Sequence, residues 1–401
     1  TLQAQRAYLR SIDENVAIAK SGYRPSLALT GSYTDASVDS NVEPKNQDND
    51  KTILAATISQ PLFSGFSTVN SVKSVDSTVR AQQNNLYNVE QTVFLDASTA
   101  YLDVLQNTAI VDLQKNNEKL LKKRLDETVE RFNVGEVTRT DVSQARARYS
   151  QARSDRIAAE GDLEASKSTY TKIIGAAPDK LKSPEIGAFL PKTFEEALDY
   201  AKMKTYDVAT NTGALLPQVT LDGSISNTKT SGDMYDRDPD VDSAEIGINM
   251  TIPLYNSGES RAKIRQSKYL KWQAQEQVLE AERKAVADVT SAWEYMVANR
   301  AKIKSIKDQV KANEIALDGV QKEEALGNRT ILDVLDAYQE LLNSNVEEVK
   351  ARRNYYVSGM NVLMAMGKLT AEDLKLNVDI YNPKKYYKET RDKWLSLSVE
   401  K

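Results

Sequence analysis

The sequence predicts a mostly helical α+β protein built from two copies of one unit. Three observations carry this. Landmarks recur at one fixed offset, four segments alternate apolar and polar residues, and the stretches 66–134 and 259–326 hold one glycine and no proline between them.

The offset is 192 residues. It joins Pro25 to Pro217, Gly31 to Gly223, Pro61 to Pro253, Tyr101 to Trp293, Gly135 to Gly327, Asp141 to Asp333 and Gly175 to Gly367. Contexts match as well: Pro-Ser-Leu-Ala-Leu-Thr-Gly-Ser answers Pro-Gln-Val-Thr-Leu-Asp-Gly-Ser, and Gln-Pro-Leu-Phe answers Ile-Pro-Leu-Tyr. One offset held across seven landmarks marks an internal repeat. The first repeat is read as 1–192, with strands about 27–37 and 52–63 and helices about 66–132 and 138–174. The second is 193–401, with strands about 219–229 and 244–255, helices about 259–326 and 331–366, and a C-terminal tail.

The strand candidates follow the first proline of each copy. In Ala244–Leu254 the residues Ala244, Ile246, Ile248, Met250 and Ile252 share one face, against Glu245, Gly247, Asn249 and Thr251. Val219, Leu221, Gly223 and Ile225 alternate in the same way, as do Leu27, Leu29 and Tyr33, and less cleanly Leu54, Ala56 and Ile58. Each segment has about the 9–11 residues that a tilted strand needs to cross a bilayer. On alternation alone a soluble antiparallel sheet with one wet face stays open. The connections Asp39–Asp50 and Thr228–Ser243 read as polar loops.

The uninterrupted stretches predict helices of about 100 Å at ~1.5 Å per residue. Val93, Ala97, Ala100, Val104 and Val111 recur at three-and-four spacing, as a supercoiled seam requires. A solitary coiled coil has the same spacing. However, a seam this rich in alanine buries little between two helices and favours several packed side by side. Short Gly-containing turns at Gly135 and Gly327 then reverse each long helix.

Composition narrows the function. The 401 residues carry a net charge of −4 with a mean hydropathy of −0.52, and no run approaches the ~18–20 apolar residues of a spanning helix. No basic patch suggests nucleic acid. Cysteine and histidine are both absent, which argues against zinc, haem, iron–sulfur and Ser–His or Cys–His chemistry, so no metal or cofactor is expected. No Walker motif is present to drive transport.

Two helical hairpins per chain, each seeded by a β-hairpin, resemble the TolC family of outer-membrane efflux proteins. The likeness is most specific in Leu326-Gly-Asn-Arg-Thr-Ile-Leu-Asp-Val-Leu-Asp-Ala337, with Val134-Gly-Glu-Val-Thr-Arg-Thr-Asp-Val142 as its counterpart, and in Arg353-Asn-Tyr-Tyr356 through Met366-Gly367. The resemblance implies a homotrimer with four strands per protomer in one twelve-stranded outer-membrane β-barrel. A periplasmic α-helical barrel continues it, with a mixed α/β equatorial belt from Asp179–Ala201 and the tail after Leu369, anchored by Tyr381, Tyr386, Tyr387 and Trp394. It implies a passive duct in the outer membrane, in contact with its lipid and reaching into the periplasm. A periplasmic adaptor and an inner-membrane pump would be its partners, in efflux or type I secretion, with cargo set largely by the pump.

The same resemblance assigns the tip. Gly135 and Gly327, with Val134 and Leu326, would dock the adaptor. Thr138-x-x-Asp141 and Thr330-x-x-Asp333 read as capping boxes, which alone account for Asp141 and Asp333. Asp336 is not explained by capping, and with Asp333 it matches the family's acidic ring, where crowded carboxylates raise pKa values and attract cations. Arg329 matches a residue tying neighbouring tip helices, here towards Thr140 and Asp141; a solvated surface charge is the alternative. Glu324 stands where the family often has tyrosine.

The lead-in to Pro217 is short, and the chain opens abruptly at Thr1 without a matching first lead-in. Residues are therefore expected to be missing near 205–212 and before Thr1. A soluble coiled-coil scaffold or tether is the competing class; it explains the helices and leaves the strand pairs unexplained. An enzyme using Asp333 and Asp336 is the weakest reading, with no histidine nearby.

Overall fold

The computed structural model describes all residues except 1, 40, 42–46, 185–189, 192, 202–215, 233–238, 394, 395, 397 and 399–401. In chain order the elements are α1 (Leu2–Ser21), β1 (Ser26–Val38), β2 (Gln47–Ser64), α2 (Ser67–Asn133), α3 (Arg139–Ile174), α4 (Phe194–Ala201), β3 (Gln218–Gly232), β4 (Asp240–Thr251), α5 (Glu259–Ala325), α6 (Ile331–Ala365) and α7 (Pro383–Thr390). The two compact units cut across the sequence repeat. One comprises Gln3–Leu86, Thr205–Leu279 and Tyr381–Lys401; the other comprises Thr1–Leu2, Tyr87–Lys204 and Glu280–Ile380.

The first unit holds one antiparallel sheet in the order β1-β2-β3-β4. Its register places Leu27 opposite Ile58, Leu29 opposite Ala56, Ala56 opposite Ile225 and Gly223 opposite Ile246. Residues directly opposite in a ladder share a face. One face therefore carries Leu29, Leu54, Ile58, Ile225, Ile246 and Ile248, and the other Thr30, Thr57, Ser224 and Glu245. The apolar face lies open, with Leu29 73 % and Ile246 79 % exposed. Among the described residues, the outer edges of β1 and β4 pair with no strand.

Three strands extend into segments read as loop: β2 begins at Gln47, β3 runs to Gly232 and β4 begins at Asp240. Cross-strand polar contacts hold these ends in the ladder. The Tyr33 hydroxyl donates to Asp50 at 3.0 Å, and the Asn227 amide donates to Asp240 and Asp242 at 2.6 and 2.9 Å. β4 stops at Thr251, short of 255, and Pro253 beyond it has no N–H for a ladder.

A further correction concerns the first lead-in. α1 supplies one of 20 residues, with Leu9, Asp13 and Val16 buried along one stripe. The expected gap near 205–212, and Trp394 of the tail, lie outside the described residues. Tyr381, Tyr386 and Tyr387 do anchor the tail. The Arg6 guanidinium lies over the Tyr381 ring, and the Tyr386 and Tyr387 hydroxyls donate to Glu14 and Asp76.

In the other unit the long helices pack through small residues. Ala145, Ala152 and Ala159 are buried one heptad apart on α3, so neighbouring backbones approach closely. Ala145 and Ala152 form one cluster with Leu121 and Leu125 of α2 and Leu335 of α6. Ile306 and Val310 of α5 meet Ala351 of α6 in a second. In a third, Ala197 of α4 sits among Val289, Met296, Val362 and Met366, with Phe194 against Trp293. Tyr101, the counterpart of Trp293, pins the segment after α3: its hydroxyl donates to the Lys182 carbonyl at 2.7 Å and accepts from the Lys182 N–H at 2.9 Å. Among the described residues, no helix is long and apolar enough to cross a membrane.

Candidate functional site

The two helical turns are built alike. At the end of α2, the Gly135 N–H donates to the Phe132 carbonyl and the Glu136 N–H to the Arg131 carbonyl, both at 2.9 Å. At the end of α5, Gly327 donates to Glu324 and Asn328 to Glu323, again at 2.9 Å. This double closure needs a left-handed residue after the helix cap. Gly135 and Gly327 supply it, at φ +83° and +79°. Among the described residues, chain neighbours apart, no heavy atom lies within 4 Å of a Cβ added at either glycine, so backbone conformation rather than close approach accounts for them here. Val134 and Leu326 beside them are 72 % and 77 % exposed.

Both following helices open with a full capping box. The Thr138 N–H donates to Asp141 Oδ2 at 2.8 Å, and the Asp141 N–H to Thr138 Oγ1 at 3.3 Å; Thr330 and Asp333 repeat the pattern at 2.9 and 3.2 Å. Hydrogen bonds from the Thr330 backbone and then its hydroxyl hold the Asp333 carboxyl below the usual carboxylate range. That is opposite in direction to the rise expected from crowding, because within one chain the cap is what acts on this carboxylate.

Asp336 has a partner that the sequence did not suggest. It accepts from Arg148 Nη2 of α3 at 2.5 Å. Arg329 also departs from expectation. Its Nε donates to Glu323 at 2.9 Å, instead of reaching Thr140 or Asp141, and this carboxylate holds the guanidinium pKa above its ordinary value. The physical reason is local: Glu323 lies one closed turn away, on the helix that Asn328 caps.

Glu324 is drawn inward. Its side chain is 11 % exposed and accepts from Arg131 Nη1 at 2.6 Å, raising the arginine's pKa. Nearby, the Tyr338 hydroxyl of α6 accepts from Gln321 of α5 at 2.5 Å and Arg124 of α2 at 3.4 Å. Together these contacts tie α2, α5 and α6 around a cavity of about 40 Å³ that Val334 and Leu335 also line. Sequence reading missed Arg124, Arg131, Arg148, Gln321 and Tyr338. The one legible signal is the heptad spacing of Arg124 and Arg131 on a single helix face.

An apolar sheet face left bare, strand edges unpaired among the described residues and two capped helical hairpins define a class: a channel-forming outer-membrane protein. The chain belongs to the outer membrane efflux protein family, whose profile matches residues 1–176 and 198–368. It is 36 % identical over 412 residues to the outer membrane efflux protein BepC of Brucella suis, covering 99 % of this chain and 88 % of that one. It is 26 % identical to the outer membrane protein TolC of Escherichia coli, covering 90 % and 78 %. The fold is shared with the Campylobacter jejuni CmeC outer membrane channel at a TM-score of 0.75 and 16 % identity, over 98 % and 86 % of the two chains. The protein is accordingly placed in the outer membrane of a Gram-negative cell, extending into the periplasm.

Proposed function

We propose that three copies of this chain close one twelve-stranded barrel and form the passive exit duct of a tripartite efflux or type I secretion system. In this reading the duct is gated at the helical turns and has no catalytic step of its own. The observation that carries it is the sheet: a bare apolar face with two unpaired edges suits lipid on one side and neighbouring copies on both flanks. A soluble scaffold would have to hide that face.

The turns suit the remaining roles. Val134 and Leu326 give an adaptor exposed apolar contacts beside Gly135 and Gly327. Asp333 and Asp336 from three copies ring the periplasmic tip with carboxylates, and Arg329 with Thr140 and Asp141 faces the neighbouring copy, where its bond to Glu323 must yield. An inner-membrane pump supplies energy and selects cargo. Reconstitution of the purified chain into planar lipid bilayers tests the reading. Discrete single-channel steps are expected; a well-folded preparation that never conducts would sink it.

A further inference from the structure

Asp13 is an aspartate on an apolar stripe. It is 0 % exposed, like Leu9 and Val16 on either side, and among the described residues neither carboxylate oxygen has a hydrogen-bond partner. Around it, α1 is fastened to the C-terminal segment by polar links. The Arg6 guanidinium lies 4.7 Å from the Tyr381 ring centroid and that of Arg10 5.4 Å from the Tyr386 ring. The Tyr386 hydroxyl donates to Glu14 at 2.9 Å, and Lys20 pairs with Asp392 at 2.5 Å. From α2, Asp76 accepts from the Tyr387 hydroxyl at 2.7 Å. On α7, Pro383, Tyr386 and Thr390 are buried.

We propose that Asp13 is a proton-controlled fastener: as the neutral acid it lets the C-terminal segment seat firmly on α1, and as the carboxylate it loosens that seat. The charged form is shielded from bulk solvent and finds no donor among the described residues, a costly way to bury a carboxylate. Burial, with the Glu14 charge adding to it, pushes the Asp13 carboxyl up to about 7. Of the ionisable groups in this layer, namely Arg6, Arg10, Glu14 and Lys20 on α1, Tyr381, Tyr386, Tyr387 and Asp392 of the C-terminal segment and Asp76 on α2, only Glu14 acts on it appreciably. The seated state keeps its proton up to about pH 7, whereas the opened state releases it near the ordinary value of 3.8. Stability of the seat is therefore greatest on the acid side, falls as pH rises between those values, and levels off above the upper one.

Hydrogen exchange of the full chain in lipid nanodiscs, corrected for intrinsic base catalysis, tests this. Opening of 383–390 and of α1 should increase roughly a hundredfold between pH 5 and 8.5. Asp13→Asn should keep the segment protected with no pH step, and Glu14→Gln should move the step to lower pH. The protonated-carboxyl infrared band should vanish across the same step and be missing from Asp13→Asn. A wild type without the step, or an Asp13→Asn variant that retains it, would overturn the proposal. If Asp13→Asn does not fold, the Glu14→Gln shift and the wild-type infrared titration decide the matter alone.

Discussion

Replacing Asp333 and Asp336 together by asparagine should abolish block of the channel by hexamminecobalt(III). Three copies would set six carboxylates around one opening, and a trivalent cation gains from all of them at once, while each copy holds its own carboxylates in fixed positions by hydrogen bonds. The loss of affinity should be about a hundredfold or more, corresponding to ~3 kcal/mol. Asparagine keeps an acceptor for the Thr330 N–H, so the turn itself should lose at most about 1 kcal/mol of capping. The Arg148 pair adds a sharper expectation. Because Arg148 offsets the Asp336 charge at 2.5 Å, Arg148→Ala should tighten the block, whereas a purely structural Arg148 would leave it unchanged. The readout is the blocking concentration in single-channel records at fixed salt, since exposed charges are screened.

Removing the Arg131–Glu324 pair should raise the conductance of the resting channel several-fold. The pair joins α2 to α5 beside the second turn, and Tyr338 with Arg124 and Gln321 ties α6 to both. Arg131→Ala leaves Glu324, 11 % exposed, without its hydrogen-bonded cation and with only the more distant charge of Arg124, which is worse than deleting both partners. Since Arg131 is itself 41 % exposed, screening limits the pair to about 1 kcal/mol. Arg131→Ala should thus open the channel more than Glu324→Gln, with the double variant between them. Equal conductance in all four proteins would show that this pair does not hold the resting state.

The architecture was legible in sequence because repetition and periodicity are local. The offset that joins Gly135 to Gly327 and Asp141 to Asp333 returns as two turns with the same hydrogen bonds and the same capping boxes. Alternation exposed the strands but not their ends, since Asp50 and Asp240 look like loop residues until a cross-strand donor holds them. Pairings were not legible. The partners Arg148 and Asp336 are 188 residues apart, and Arg131 and Glu324 are 193 apart, on helices whose azimuth no spacing rule fixes. Arg329 was assigned by resemblance to Thr140 and Asp141, and within the chain a carboxylate six residues away reaches it first. Asp13 could have been noticed: an aspartate four residues after Leu9 and three before Val16 falls on the buried stripe of α1.

The shared barrel is tested most directly by disulfide cross-linking between the two bare edges, and the chain has no cysteine to confuse the result. Single cysteines are placed in turn at Ser26–Tyr33 on β1 and at Ala244–Thr251 on β4, and combined pairwise in the membrane-embedded protein. If neighbouring copies complete the sheet, a staggered subset of pairs should oxidise to a ladder that stops at three chains. No pair cross-linking, or a ladder running on past three, would contradict a closed three-copy barrel.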